Sequence, residues 1–173
     1  MSLKEKALRI KAIILDVDGV LTDARIGYSN SMDEIKFFNA RDGLAIVMAL
    51  HAGYKVGILS GRASEANRKR ASDLKLSFIY EGISDKRHGF ERLISEHNLK
   101  ADECLFIGDD LIDIPVLRRA GISVAVNDSS PELDEFCDFR TVLPGGKGAV
   151  REVIVWLLKE TEKWDYLLQK YLE

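Results

Sequence analysis

The sequence predicts an α/β fold, a Rossmann-like three-layer sandwich around a mostly parallel central sheet. Two patterns carry this expectation. Short apolar, strand-like runs recur at AIIL (12–15), YKVGILS (54–60), LSFIY (76–80), CLFIG (104–108) and ISVAV (122–126), with a weaker FRTVL at 139–143. Stretches of helical periodicity alternate with them, at about 42–52, 63–75, 85–98, 111–120 and 148–171. An apolar run without polar alternation fits a strand buried on both faces. Strands alternating with helices of about ten residues or more fit βαβ units.

Local signals support the boundaries in order. His51-Ala52-Gly53 and Arg119-Ala120-Gly121 place glycine at the end of a periodic segment, a helix-stop signal. Ser64, with Asn67 three residues later, is a candidate helix cap. Segment 23–39 breaks the alternation with two β-prone runs, around Ile26–Tyr28 and Ile35–Phe38, separated by Ser29-Asn30-Ser31. It predicts a hairpin projecting from the active edge. A lone hairpin is marginal in water, and Phe37 and Phe38 place an aromatic on each face, so packing outside its own subunit is expected. The last stretch predicts one helix from Ala149 onward, with Val153, Leu157, Trp164, Leu168 and Tyr171 on one face. With no repeat, low-complexity tract or long linker, residues 1–173 are expected to form a single domain.

Composition narrows the class. The 173 residues are 46% apolar and 31% charged, ordinary for a soluble globular chain. A net charge of -3 gives no basic footprint for nucleic acid. No run approaches the ~18 apolar residues of a membrane span, and MSLKEKALR lacks the apolar core of a signal peptide. Of two cysteines, Cys104 opens an apolar run and Cys137 lies in a polar stretch, so no disulfide framework is expected. The expectation is a cytoplasmic protein without nucleic-acid or membrane partners.

Four segments carry chemistry: IILDVDGVLTD (13–23), VGILSGR (56–62), Lys86 and LFIGDDLID (105–113). Acids that follow an apolar strand abruptly lie at the carboxyl edge of the sheet, where open α/β sheets place their ligands. Asp16 suits a nucleophile toward phosphorus, because a carboxylate is ionised at neutral pH and its acyl phosphate is labile. Asp18 then suits the general acid for the leaving alcohol and the base for water. Ser60 and the amides of Gly61 and Arg62, at a strand-to-helix turn, suit phosphoryl oxygens. Arg62 adds a fork for a second anionic group. Lys86 can neutralise phosphate and Asp16 together. Asp109, Asp110 and Asp113, grouped with Asp16 and the backbone carbonyl of Asp18, suit octahedral Mg²⁺, and one of the three is expected to serve the helix N-terminus instead.

Each signal has a bland reading alone: Asp-Gly as a strand-ending turn, Ser60 as a cap, Lys86 as solvated. Together they indicate phosphoryl transfer. Pro144-Gly145-Gly146-Lys147-Gly148 lacks the first glycine and terminal Ser/Thr of an ATP-binding loop. It is expected to be a flexible loop near the site that aims Lys147 at an anionic substrate. His51, His88 and His97 have no metal-ligand spacing.

The four motifs, in order, resemble those of haloacid-dehalogenase-superfamily phosphatases. FFNARDGLAI, YEGISDK, GDDLIDIPVL, GISVAVNDSSPEL and GGKGAVREV extend the likeness over nearly the whole chain, toward the 3-deoxy-D-manno-octulosonate 8-phosphate (KDO 8-phosphate) phosphatases of lipopolysaccharide biosynthesis. The resemblance implies a Mg²⁺ enzyme with Asp16 as nucleophile, Asp18 as acid/base, Asp109 as metal ligand, and Ser60 and Lys86 on phosphate. It also implies a homotetramer assembled through the hairpins and a phosphorylated sugar-acid substrate. Larger members carry a cap domain after the first or third strand; here the first gap holds only the hairpin and the second only one helix, which implies a capless fold. The tail WDYLLQKYLE and His88 depart from the pattern. Runner-up readings are a nonulosonate 9-phosphate phosphatase and, in another class, a phosphoacceptor receiver-like module. A receiver places its acidic pair first and its phosphoacceptor later. A non-catalytic oligomeric regulator would require the motifs to be relics.

Overall fold

Residues 1–31 and 33–172 are described by a computed structural model; Met32, near the tip of the expected hairpin, and Glu173 lie outside the described residues. In chain order the strands are β1 (Ala12–Leu15), β2 (Gly27–Tyr28), β3 (Glu34–Ile35), β4 (Lys55–Leu59), β5 (Phe78–Tyr80), β6 (Cys104–Gly108), β7 (Ile122–Ala125) and β8 (Phe139–Arg140). The helices are α1 (Leu3–Ala7), α2 (Ala40–His51), α3 (Glu65–Leu74), α4 (Lys86–Glu96), α5 (Ile114–Leu117), α6 (Ala149–Glu160) and α7 (Trp164–Gln169). Six strands form one sheet in the order β5-β4-β1-β6-β7-β8. Every neighbouring pair is parallel. The chain winds outward from β1 to β5 on one side, then crosses to β6 and winds outward on the other. The carboxyl ends of β1 and β6 therefore flank the topological switch point, the crevice where such sheets hold ligands.

Strands buried on both faces serve two cores, because alternate side chains point to opposite faces. Ile13, Leu15, Val56, Ile58, Leu105 and Ile107 meet Ile46 and Ala49 of α2 and Val153, Ile154 and Leu157 of α6. On the other face Ala12, Ile14, Leu59 and Phe106 meet Phe90 and Leu93 of α4 and Val116 and Leu117 of α5. The three-layer expectation holds, with a sheet that is wholly rather than mostly parallel. Among the described residues no helix is long and apolar enough to cross a membrane.

Several local expectations need correction. Gly53 does end α2 with a left-handed φ of +90°. Gly121 has another role: a Cβ there would stand 2.3 Å from the Asp102 carbonyl oxygen, so the residue permits close backbone approach. The C-terminal helix is two helices. Glu162, at φ +58°, takes the left-handed position. The amides of Glu162 and Lys163 donate back to the carbonyls of Lys159 (3.1 Å) and Leu158 (2.8 Å), which closes α6 without a glycine. Past the break Trp164 still packs against the first core that holds Val153 and Leu157, whereas Tyr171 is exposed. The hairpin exists as two residues paired with two, and its aromatics part company. Phe37 is 70% exposed, whereas Phe38 packs against the first core and under the Arg70 guanidinium.

Gly57 pairs with Phe78 across β4 and β5. A Cβ there would lie 2.1 Å from the Phe78 ring and 2.4 Å from its carbonyl oxygen. Gly57→Ala is expected to cost about 1–3 kcal/mol, the usual range for over-packing. The measurement is the urea midpoint at unchanged m value; an unmoved midpoint would show that the ring swings clear.

Candidate active site

The loop after β1 is a tight turn wound on one carbonyl: the amides of Val20, Leu21 and Thr22 all donate to the Val17 oxygen, at 3.3, 3.0 and 3.1 Å. Thr22 Oγ1, buried, donates to the same carbonyl and accepts from the Gly19 and Ala24 amides. Gly19 has φ +91°, and a Cβ on it would stand 1.9 Å from Asp109 Oδ2. Only glycine lets the β1 turn come this close to the residue that follows β6.

Four charged side chains converge in that crevice. Lys86, the first residue of α4, is buried with its Nζ 2.8 Å from Asp16 Oδ1 and 2.5 Å from Asp113 Oδ1. Asp113 Oδ2 accepts from the Asp109 amide at 2.9 Å. Asp16, Asp109 and Asp113 each offer a carboxylate oxygen within 4.8 Å of the others. Burial pushes the Asp16 carboxyl up to about 6, with the Asp113 charge adding to the effect and Lys86 opposing it. Burial, then Asp16 and Asp113, push Asp109 up to about 8. Burial works against the Lys86 ammonium, but the Asp16 and Asp113 charges outweigh it and its proton is held more tightly than usual. Three carboxylates facing one ammonium carry a surplus of two negative charges when all are ionised. A hard divalent cation suits that donor set and offsets that surplus.

The other expected residues divide. Ser60 is buried directly after β4; its amide donates to the Tyr80 carbonyl (2.8 Å) and its Oγ accepts from the Arg62 amide (3.3 Å). Its hydroxyl proton has no acceptor among the described residues, which leaves it free for a ligand. A Cβ on Gly61 would meet nothing closer than 3.8 Å, so that turn is open. The Asp18 carboxylate lies outside the three-acid cluster; its Oδ1 accepts from Lys36 Nζ at 2.6 Å. Arg62 is already engaged, bonded to Glu34 and with Nε 3.8 Å from Asp18 Oδ2. Asp110 has the capping role expected of one of the three acids: Oδ1 accepts from the Leu111 amide and from Ser130 Oγ, both at 2.8 Å. Cys104 is buried and Cys137 half-buried, both free, and His88 is exposed.

The glycine loop at 144–148 is pinned, not flexible. Its backbone lies so close to the β1 turn that a Cβ on Gly145 would stand 1.7 Å from the Gly19 oxygen. The Gly146 amide donates to the Val20 carbonyl (2.9 Å) and the Gly145 amide to Asp128 Oδ1 (2.8 Å). Asn39 caps α2 through Oδ1 and donates from Nδ2 to the Gly146 carbonyl at 3.2 Å. Asp42 is buried in α2 and accepts from the Gly148 and Arg151 amides at the start of α6 (3.3 and 2.8 Å). Burial raises the Asp42 carboxyl and those two amides oppose the rise. Lys147 is exposed on this loop and forms no ion pair among the described residues. Lys36, Glu34, Asn39 and Asp42 were not singled out from sequence. The run FFNARDG held the last two, but nothing in it indicates that they brace a loop a hundred residues away.

A family model described as haloacid dehalogenase-like hydrolase matches residues 67–154. The chain is 41% identical over 160 residues to the 3-deoxy-D-manno-octulosonate 8-phosphate phosphatase KdsC of Escherichia coli (strain K12), covering 92% of this chain and 85% of that protein. It superposes with a TM-score of 0.94 and 33% identity on the Moraxella catarrhalis 3-deoxy-D-manno-octulosonate 8-phosphate phosphatase in complex with magnesium ion, phosphate ion and KDO, covering 97% of both chains. The cobalt-bound deoxy-D-mannose-octulosonate 8-phosphate phosphatase of Haemophilus influenzae gives 0.92 and 35%, covering 97% of this chain and 99% of that one. With acids after β1 and β6 meeting a buried lysine at the switch point, and with relatives this similar along its length, the chain belongs to the haloacid dehalogenase-like hydrolase family.

Proposed function

We propose that this chain is a Mg²⁺-dependent, single-domain cytoplasmic phosphatase that hydrolyses KDO 8-phosphate to KDO and phosphate, in lipopolysaccharide biosynthesis. The observation that carries the chemistry is the buried cluster of Asp16, Asp109 and Asp113 around Lys86. The sugar acid is supported by the likeness to KDO 8-phosphate phosphatases over most of the chain.

In this reading Asp16 Oδ attacks phosphorus and forms an aspartyl-phosphate as the ester P–O bond breaks. Asp18 supplies the proton to the leaving sugar oxygen, then takes one from the water that releases phosphate and restores Asp16. Lys86 and the free hydroxyl of Ser60 hold phosphoryl oxygens, with the Gly61 and Arg62 amides at the same turn. Asp16, Asp109 and the Asp18 backbone carbonyl would hold Mg²⁺, which supplies the charge that lets carboxylate and phosphate approach one another. Asp113 serves this set by fixing Lys86 and the Asp109 amide. Arg62 and Lys147 face the sugar acid's carboxylate; Arg62 must share itself with Glu34 to do so.

The test is a phosphatase assay over KDO 8-phosphate, glucose 6-phosphate and nucleotides, with Mg²⁺ or chelator. A desolvated contact to the carboxylate is worth roughly 1.5–3 kcal/mol, so about a tenfold to hundredfold preference for the sugar acid is expected. Asp16→Asn should abolish turnover in a folded protein. Equal efficiency on glucose 6-phosphate would remove the sugar-acid assignment, and full activity in chelator the metal.

The acidic cluster also predicts a pH trend in chelator-stripped protein. Asp109 titrates at about 8 when folded, above the ordinary carboxylate value of 3.8, so between those limits the folded state binds the extra proton. Stability should then fall as pH rises through this window. Asp109→Asn should flatten the trend and gain on the order of 1–3 kcal/mol at pH near 8, while losing activity. Melting temperatures against pH measure this; a chelated wild type that grows more stable from acid to pH 8 would contradict it.

We further infer a homotetramer assembled through the hairpins. Ile26, Tyr28, Ile35 and Phe37 leave apolar area exposed around two strands too short to stand alone. Eight such strands would suffice to close a small barrel without free edges. Phe38, packed inward, is no longer expected to contribute. Phe37→Ser should lower the mass seen by sedimentation and reduce activity on KDO 8-phosphate more than on small aryl phosphates. A wild type sedimenting as a fully active monomer would exclude the assembly.

A further inference from the structure

Just past β3, the hairpin turns a charged side chain into the cleft. The Lys36 side chain is 1% exposed, with Nζ 2.6 Å from Asp18 Oδ1. Glu34, two residues earlier and so on the same side of the arm, bonds Arg62 through Oε1. Its Oε2 is buried and has no hydrogen-bond partner among the described residues, 3.7 Å from Lys36 Nζ. Arg62 Nε stands 3.8 Å from Asp18 Oδ2. Lys36, Arg62, Glu34 and Asp18 thus close a ring of alternating charge, in which Lys36 makes the short contact to Asp18. An exposed lysine gains little from an ion pair, and enclosing an ammonium is costly unless its partners are well placed. The fold accepts that cost here, on a hairpin whose Ile26, Tyr28, Ile35 and Phe37 are open to solvent.

We propose that Lys36 is a positioning residue for the phosphatase reaction, holding the Asp18 carboxyl in the orientation from which it exchanges protons with the leaving group and with water. This rests on the reading of Asp18 as acid/base given above. By occupying Oδ1, Lys36 leaves Oδ2 to carry the proton. That proton passes to the leaving oxygen as the ester P–O bond breaks and the Asp16–phosphorus bond forms. Asp18 then receives a proton from water as the water oxygen bonds to phosphorus and the Asp16–phosphorus bond breaks. The unpartnered Glu34 oxygen gives Lys36 a second reason to stay in place: without its ammonium, Glu34 and Asp18 would face each other with only Arg62 between them.

The experiment compares full-length wild type, Lys36→Met and Lys36→Arg on KDO 8-phosphate, whose alkoxide needs a proton, and on p-nitrophenyl phosphate, whose leaving group does not. Lys36→Met should lower kcat on the sugar phosphate roughly tenfold to a hundredfold, part of what general acid–base catalysis supplies. KM should stay within about twofold, as for an interaction that matters only in the transition state. On the aryl phosphate the variant should release a rapid burst of nitrophenolate and then turn over slowly, because the phosphoenzyme waits for its base. Lys36→Arg should recover part of the loss. Adding Lys36→Met to Asp18→Asn should cost little more, since both act through one carboxyl. Should Lys36→Met not assemble, Lys36→Gln is read in the same way. A wild-type kcat in the Met or Gln variant, equal losses on both substrates without a burst, or additive losses in the double variant would overturn the assignment. A wild type inactive on both substrates would overturn the functional reading, and this assignment with it.

Discussion

One buried ammonium organises this molecule. Lys86 stands between Asp16 and Asp113, with Asp109 alongside, at the point where the sheet order reverses. Carboxylates gathered in a water-poor crevice repel one another and resist ionisation, and Asp109, carried up to about 8, registers that conflict most strongly. A parallel sheet resolves it economically in sequence. β1 and β6 are each followed directly by an acid, and α4 starts with the lysine, so three distant segments deliver their charges to one place. Both cores beneath are apolar, which keeps the charge pairs above them short of water and therefore strong.

The same crevice is stiffened from its far side. The β1 turn cannot shift, because Gly19 rests against Asp109 and the 144–148 loop rests against Gly19. That loop is held by Asn39, which caps α2, by Asp42 within α2 and by Asp128. Asp42 replaces the side-chain cap that Gly148, at φ +112°, does not give α6. A buried carboxylate that accepts two backbone amides is satisfied, whereas an apolar residue in its place would orphan both donors. Rigidity at the site thus comes in part from polar groups at and near the start of α2, and from Asp128, outside the four charged residues at its centre.

What was legible in the sequence follows the range of the interactions. Strands buried on both faces announce themselves as unbroken apolar runs, and the acids that stop them mark the carboxyl edge. Asp16, Ser60, Lys86 and Asp109 could be read because each directly follows or opens an element. Asp113 stayed ambiguous because one carboxylate serves two ends, the Asp109 amide and the Lys86 ammonium. The break after α6 was invisible, since Thr161-Glu162-Lys163 contains neither glycine nor proline and a left-handed glutamate leaves no signature. Lys36 and Asp42 were unreadable for another reason: their partners lie 18 and more than 100 residues away, and no local periodicity encodes such a pairing.

The hairpin shows how little chain is needed in place of a cap. Two residues paired with two cannot fold alone, so their position must be set by something else. On the inner side that something is charge and stacking: Lys36 on Asp18, Glu34 on Arg62, and Phe38 beneath Arg70. On the outer side Ile26, Tyr28, Ile35 and Phe37 remain uncovered. The arm is therefore anchored to the catalytic edge through its polar contacts and open to association through its apolar ones. Any partner that settles on the outer face also constrains the backbone that carries Lys36, so assembly and the orientation of Asp18 share one short strand.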